Sequence, residues 1–591
     1  MIDYLIEPAQ PHAHRFNVTL KLPRQTGPVR LSLPVWIPGS YLVREFARHV
    51  MSLQAWQGKT PCPITQEDKT TWVVQASGRA ALTVRYEVYA NDTSVRAAFL
   101  DARRGFFNGT SVFLRVEGQE AQAHRVRIAG LPKDWSVATA LRAVDTDARG
   151  QGYYQAADYD ELVDHPVELG KFWRGSFKAR GVPHELVVSG AADEADLDRL
   201  MTDTQRLCES QIAFWHGRRK PVFDRYVFLL NVVDDGYGGL EHRESTALIC
   251  ARKDIPRRGA EPTNSEGYTT LLGLISHEYF HTWNVKRLKP REFAPYDYTR
   301  ENYTRMLWFF EGFTSYYDDQ FLLRTQRVDA AHYLRLLNKP INQVLATPGR
   351  RTQSVAQASF DAWTRYYRPD ENTANATVSY YTKGSLVALA LDLSLRVGPA
   401  RADGSQPSLD GVMHRLWALG RPITEDDVVQ ALCEEATTTP RHAKDWREQL
   451  NAWVHGTDDL PLNSLLADVG VQWTTRSGPA AQQLGLRTQE SNGGLKAQAV
   501  MFGSPAESAG ISAGDELIAL DNWRLRRVDD LTHARRADRP QALLISRDQR
   551  LQTLTLPVAQ TGDDWGRLVS LTLGSGLDKT IEARRRLWLG A

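Results

Sequence analysis

The segment His277-Glu278-Tyr279-Phe280-His281 places two imidazoles four residues apart, with a carboxylate directly after the first. It lies within a stretch, 267–284, whose apolar residues Leu271, Leu272, Leu274, Ile275 and Phe280 follow helical spacing. Residues four apart on a helix stand about 40° apart around its axis, so both rings project from one face and can share one zinc ion. Glu278, about 100° round from His277, stands beside such an ion rather than on it, placed to take a proton from water that the metal activates. A catalytic zinc also needs a third protein ligand and an open position. The sequence offers Glu311, inside Trp308-Phe309-Phe310-Glu311-Gly312-Phe313-Thr314-Ser315-Tyr316-Tyr317, on a second helical pattern over 304–325. A carboxylate among Trp and Phe is costly unless it is paired or holds a metal; the competing explanation is a glutamate that reaches solvent along its own stem. The expectation is one Zn2+ per chain, held by His277, His281 and Glu311, with Glu278 as the base.

These residues need a scaffold. Period-two alternation at Phe16, Val18, Leu20 and Leu22, at Val29, Leu31, Leu33, Val35 and Ile37, and at Leu82, Val84, Tyr86 and Val88 predicts half-buried strands, and 1–170 reads as an antiparallel β domain. Short strands continue between 180 and 255, notably over 226–233, and end at the turn Gly236-Tyr237-Gly238-Gly239. Helical spacing then takes over at 267–284, 304–325, 330–344 and 383–397, followed by 424–435, with Thr424 as its N-cap, and 444–454. After 475 short strands and glycines return, and 578–588 reads as a short amphipathic helix. The fold class is multidomain α+β: an N-terminal antiparallel β domain over 1–170, a catalytic domain with a helical body over 171–474, a β-rich module over 475–560 and a tail over 561–591.

Composition sets bounds on function. Hydrophobic content of 42% and charged content of 24% are those of an ordinary folded protein. The 72 basic and 70 acidic residues leave a net charge of +2, which gives no electrostatic case for nucleic acid or an anionic membrane as partner. The opening MIDYLIEPAQ lacks the basic and apolar segments of a secretory signal, and the longest apolar runs fall short of the roughly 20 residues a membrane span needs, so the expected location is cytoplasmic. Cys62, Cys208, Cys250 and Cys433 lie far apart with no CxxC pair, which argues against a disulfide framework and against a cysteine zinc site.

At HEYFHTWNVKRL, starting from His277, and at EGFTSYY, starting from Glu311, the chain resembles the glycyl aminopeptidase family of gluzincin metallopeptidases. Twenty-nine residues separate His281 from Glu311, a longer gap than in aminopeptidases of the leukotriene hydrolase type. Leu33-Pro34-Val35-Trp36-Ile37-Pro38-Gly39-Ser40-Tyr41 and Phe46-Ala47-Arg48 are similar to that family's β-domain signature, so the likeness covers most of the chain. The resemblance implies a thermolysin-like catalytic domain that hydrolyses the first bond of peptides entering by a free N-terminus, with a preference for small residues, Gly and Ala.

Gly238-Gly239-Leu240-Glu241-His242 is similar to the glycine-rich segment whose Glu binds the substrate α-amine in related aminopeptidases. This implies that role for Glu241, with backbone pairing at Gly238 and Gly239; its departure from the G-A-M-E-N form leaves a turn with a surface acid as the alternative. Tyr380-Tyr381-Thr382-Lys383-Gly384 is similar to the Y-x-K-G segment whose tyrosine donates to the tetrahedral intermediate, which implies Tyr381. Tyr380 is the competing choice, and core packing is the alternative for either. Gly503-Ser504-Pro505-Ala506-Glu507-Ser508-Ala509-Gly510-Ile511 followed by Gly514-Asp515-Glu516-Leu517-Ile518 looks like the core of a bacterial PDZ domain. Upstream, Leu484-Gly485-Leu486 has the form of its carboxylate-binding loop, which implies capture of peptide C-termini, with domain packing as the alternative. The rival functions are a PDZ-assisted zinc endopeptidase and a peptide-binding scaffold with a vestigial zinc site. The intact set of His277, Glu278, His281, Glu311 and Tyr381 argues against the scaffold.

Overall fold

The computed structural model describes residues 1–260, 263–401, 404–436, 440–491, 493–536, 538–558 and 565–590. The chain forms two compact units, one of Met1–Tyr303, Tyr317–Val328 and Gly420–Pro422, the other of Thr304–Tyr316, Asp329–Leu419 and Ile423–Ala591.

The first unit opens with an eight-stranded sheet in which Arg15–Arg24 pairs antiparallel with Ala81–Tyr89. The register sets Val18 opposite Tyr86 and Leu20 opposite Val84, so the alternate apolar residues share one face and are buried there. Two expectations are corrected. Ile2–Gln10 lies parallel to His124–Ile128, so the domain is not wholly antiparallel. The alternation from Val29 to Ile37 is not one strand either: the strand is Gly27–Ser32. Pro34 and Pro38 lack the N–H a ladder needs, and Val35, Trp36 and Ile37 are buried by packing instead.

A second sheet of this unit carries the site. Its five strands lie in the order Trp173–Ala179, Val182–Ser189, Tyr226–Val233, Ser245–Ala251, Gly238–Glu241. The middle three are parallel and buried, which explains the unbroken apolar run of Tyr226–Val233. Gly238–Glu241 folds back antiparallel and ends the sheet as its edge. The helix Glu266–Phe280 packs on this edge strand and its neighbour. Ser265 caps the helix by accepting from the Tyr268 N–H at 3.1 Å. Its Leu271, Leu272, Leu274 and Ile275 are buried, each worth about 1.5–3 kcal/mol. The helix stops at Phe280, short of the expected 284, because the chain hooks back: the Lys286 N–H donates to the His281 carbonyl and the Leu288 N–H to that of Trp283.

The pattern expected over 304–325 is not one helix but two pieces, Leu307–Phe310 and Gly312–Arg324, with Glu311 at the joint. Gly312 meets Thr382–Val397 backbone to backbone: a Cβ there would lie 2.5 Å from the Gly384 Cα. Ala330–Leu345, Leu409–Ala418 and Glu425–Glu435 complete this body, the last with the expected Thr424 cap, whose N–H donates to Asp427 Oδ2 at 2.8 Å. The helix expected over 444–454 is Pro440–Leu450 continued by a wider turn over Asn451–His455. Beyond it lies a six-stranded β module with Leu495, Ala497, Leu517, Leu543 and Ile545 in its core and Leu486–Ser491 at one edge. Lys579–Leu589 is helical, and its Trp588 packs edge-on against Tyr333. The boundary expected at 560/561 lies outside the described residues. Among those described, no helix is long and apolar enough to cross a membrane.

Candidate active site

His277 and His281 end the helix Glu266–Phe280, and each ring is fixed from behind. His277 Nδ1 lies 2.9 Å from Asp318 Oδ2, and His281 Nδ1 lies 2.8 Å from the Asn284 carbonyl oxygen. Both partners accept, so the proton of each neutral ring sits on Nδ1 and the lone pair on Nε2. The two Nε2 atoms face each other at 3.1 Å. Lone pairs that close repel unless a cation is shared between them, so the donor set fits zinc. Ligand atoms of Glu241, Glu278 and His281 lie within 4.8 Å of one another. A catalytic zinc commonly takes two imidazoles and one carboxylate, and His277 and His281 supply two imidazoles on one helix end.

Two features of this corner escaped the sequence reading. Asp318 follows Glu311 by seven residues, two helical turns, a spacing that could have marked it as a histidine partner. Its carboxyl is pushed up by burial, against the pull of the His277 Nδ1–H. Val285 adopts φ 122°, a region a β-branched residue rarely enters. That strained residue directly follows the carbonyl that holds His281, and its N–H is tied to the Trp283 and Leu288 carbonyls.

The edge strand stands against the helix. A Cβ on Gly239 would lie 2.1 Å from Glu278 Oε1, so only glycine admits the carboxylate this close. Glu241, 4% exposed, sits just as close to Gly39: a Cβ there would be 2.5 Å from its Oε2, and Gly39 has φ +91°. Thus the Pro38-Gly39-Ser40 turn of the N-terminal domain backs the Glu241 carboxylate. Glu241 Oε1 is buried with no hydrogen-bond donor among the described residues. The next residue, His242, belongs to a network in which Asp164 accepts from His242 Nδ1 at 3.0 Å, Lys286 Nζ at 2.7 Å and Arg243 Nε at 2.8 Å, while His242 Nε2 is buried with no hydrogen-bond partner among the described residues.

In the second unit Tyr381 precedes the helix Thr382–Val397 and is partly exposed, its hydroxyl 3.3 Å from that of Tyr367. Tyr380 is fully buried, and burial, with Tyr367, Tyr366 and Glu311 nearby, pushes its hydroxyl well above the ordinary range. Accessibility therefore favours Tyr381 over Tyr380. Leu484 and Leu486 are buried, while Gly485 has φ +70° and would place a Cβ 2.2 Å from that of Ser504. The Gly485 N–H donates to the Gln482 carbonyl at 3.0 Å.

Residues 3–171 match the family model of the peptidase M61 N-terminal domain, and residues 270–387 that of M61 glycyl aminopeptidase. No curated protein matches the chain. Among solved structures, an aminopeptidase N family protein from Idiomarina loihiensis is 35% identical over 100% of both chains, with a TM-score of 0.91. An M1 zinc metallopeptidase from Deinococcus radiodurans is 15% identical over 78% of this chain and 94% of its own, with a TM-score of 0.47. Native yeast LTA4 hydrolase is 13% identical over 79% of this chain and 70% of its own, at 0.46. With both M61 segments in place and a relative matched end to end, this chain belongs to the M61 glycyl aminopeptidase family and is a zinc metallopeptidase.

Proposed function

We propose that the enzyme removes small N-terminal residues, Gly and Ala, from peptides, with one zinc per chain held by His277, His281 and Glu311. The observation that carries this reading is that the carboxylate of Glu278, on the helix, lies against Gly239 of the same short edge strand that ends in Glu241, an arrangement that supports a base and an amine acceptor side by side. Bound zinc supplies the Lewis acidity that polarises the scissile carbonyl and makes water a nucleophile near neutral pH. Glu278 takes the proton of the attacking water at its carboxylate and passes it to the leaving amine. Glu241 accepts from the substrate ammonium and so sets the register at the first bond. Tyr381 donates a hydrogen bond from its phenol to the developing oxyanion. The test is hydrolysis of glycyl and alanyl chromogenic amides beside their N-acetylated forms, with zinc-loaded, chelated and Glu278→Gln enzyme. Zinc-dependent cleavage of the free amines alone, lowered about 10²–10⁴-fold in Glu278→Gln, supports the reading; cleavage of the acetylated forms would replace it with an endopeptidase.

We further infer that the C-terminal module is a PDZ domain that takes peptide C-termini at Leu484-Gly485-Leu486. The edge position of the strand Leu486–Ser491 supports this, and a cavity of about 490 Å3 lies beside Gly485, Leu486 and Arg487, lined also by Asn342, Arg350, Trp473 and Trp565. Titration with a peptide and its C-terminal amide checks it: equal affinity for the two would leave the module a packing domain.

A further inference from the structure

We propose that Arg96 reads the free carboxylate of a di- or tripeptide at the end of the edge strand, so that short peptides with a free C-terminus are the favoured substrates. The proposal rests on the aminopeptidase reading above. In an antiparallel pair, residues alternate between those that exchange hydrogen bonds with the neighbouring strand and those whose N–H and C=O turn away from it. The His242 N–H donates to Ser245 at 2.9 Å, and from there Leu240 pairs with Ala247 and Gly238 with Ile249. Gly239 and Glu241 therefore turn their backbone groups to the open edge, where a peptide adds as a strand. Arg96 is already there: its Nη2 donates to the Gly239 carbonyl at 3.3 Å, and its Nη1 lies 3.7 Å from where a Gly238 Cβ would be. The guanidinium makes no ion pair among the described residues, and its Nε is buried with no hydrogen-bond partner. An arginine left without a carboxylate in a half-buried position is a ready carboxylate site.

Direction and length follow from the strand. An added peptide runs antiparallel to Gly238–Glu241, so with its amine at Glu241 its later residues run toward Gly239 and Gly238, about 3.4 Å per residue. One or two residues past the scissile bond the chain reaches Arg96. A peptide that ends there pairs with the guanidinium; a longer one must displace Arg96 from the Gly239 carbonyl before its own N–H can use it.

The experiment compares Ala-Gly with its C-terminal amide on zinc-loaded wild type, Arg96→Gln and Arg96→Lys, with alanyl p-nitroanilide as a substrate that has no carboxylate. Wild type is expected to favour the free acid by about ten- to a hundredfold, mainly through KM. Arg96→Gln brings that ratio to near one, and Arg96→Lys restores part of it. A wild type that treats acid and amide alike, or a preference that survives in Arg96→Gln, overturns the assignment of Arg96. A wild type inert toward the anilide and both dipeptide forms overturns the underlying aminopeptidase reading and this proposal with it.

Discussion

Two buried polar clusters lie next to each other in the chain and are built on opposite principles. Around Asp164, every charge is answered: His242, Lys286 and Arg243 all donate to one carboxylate. Around His277 and His281, acceptors converge instead: two Nε2 atoms 3.1 Å apart, the Glu278 carboxylate wedged against Gly239, and a Glu241 oxygen with no donor among the described residues. The two are joined through the backbone, since Glu241 precedes His242 and Lys286 follows His281 by five residues. A satisfied cluster holds a structure in place, whereas a gathering of acceptors stores a demand that a cation, a water proton or a substrate ammonium meets. The first makes the second possible by fixing both chain segments that carry the acceptors.

The sharpest break of this contrast is Asp164→Asn, which leaves Lys286, only 6% exposed, without its anion. Removing one partner of a buried pair costs about 3–5 kcal/mol, so the variant should unfold at markedly lower urea concentration at pH 7. Burial alone would raise the Asp164 carboxyl, but Lys286, Arg243 and His242 hold it well below the ordinary range. A depressed folded value means stability that is fully present above the unfolded pKa of about 3.9 and drains as pH falls toward the folded one. The gap between wild type and Asp164→Asn should therefore be full at pH 7 and narrow only below about pH 4. A gap that closes between pH 5 and pH 7 would assign the stabilisation to some other group.

How far the sequence foretold these clusters depends on the range of the contacts. The helix bearing His277, Glu278 and His281 is legible because a four-residue spacing inside an apolar pattern is a local fact, and the Thr424 cap is legible for the same reason. Asp318 comes to His277 from 41 residues away, and Asp164 comes to Lys286 from 122; no periodicity connects them. The apolar alternation from Val29 to Ile37 misled because burial in an irregular loop selects the same residues as burial in a strand, while the prolines that break the ladder were the better guide. Gly39 and Gly239 were visible as glycines, but only packing shows that each makes room for a carboxylate.

That room gives the next test. Gly239→Ala drives a Cβ into Glu278 Oε1, whereas the Asp164 cluster is untouched. Displacing the proposed base by about 1 Å should lower kcat about 10²-fold. Zinc content and the urea midpoint should stay at wild-type values, the reverse of the pattern expected for Asp164→Asn. A variant that unfolds early with kcat intact would mean that the strand and helix separate there without harm, and that Glu278 does not depend on Gly239 for its position.

The smallest effect is expected where the two kinds of cluster meet in one residue. Asp318 belongs to the satisfied kind, since its Oδ2 accepts from His277 Nδ1, yet what it fixes is a proposed zinc ligand. Asp318→Asn keeps the shape and still offers a carbonyl oxygen to the ring, but removes the negative charge that makes the imidazole a stronger donor. Partners of this kind typically contribute about 10–100-fold in metal affinity, so competition with a chromogenic chelator should show zinc bound more weakly by that factor. The fully loaded variant should keep most of its turnover, because Glu278 keeps its place against Gly239 of the edge strand. If zinc affinity is unaltered while the urea midpoint falls, Asp318 serves the fold in the manner of Asp164, and the division between the two clusters has to be drawn on the other side of it.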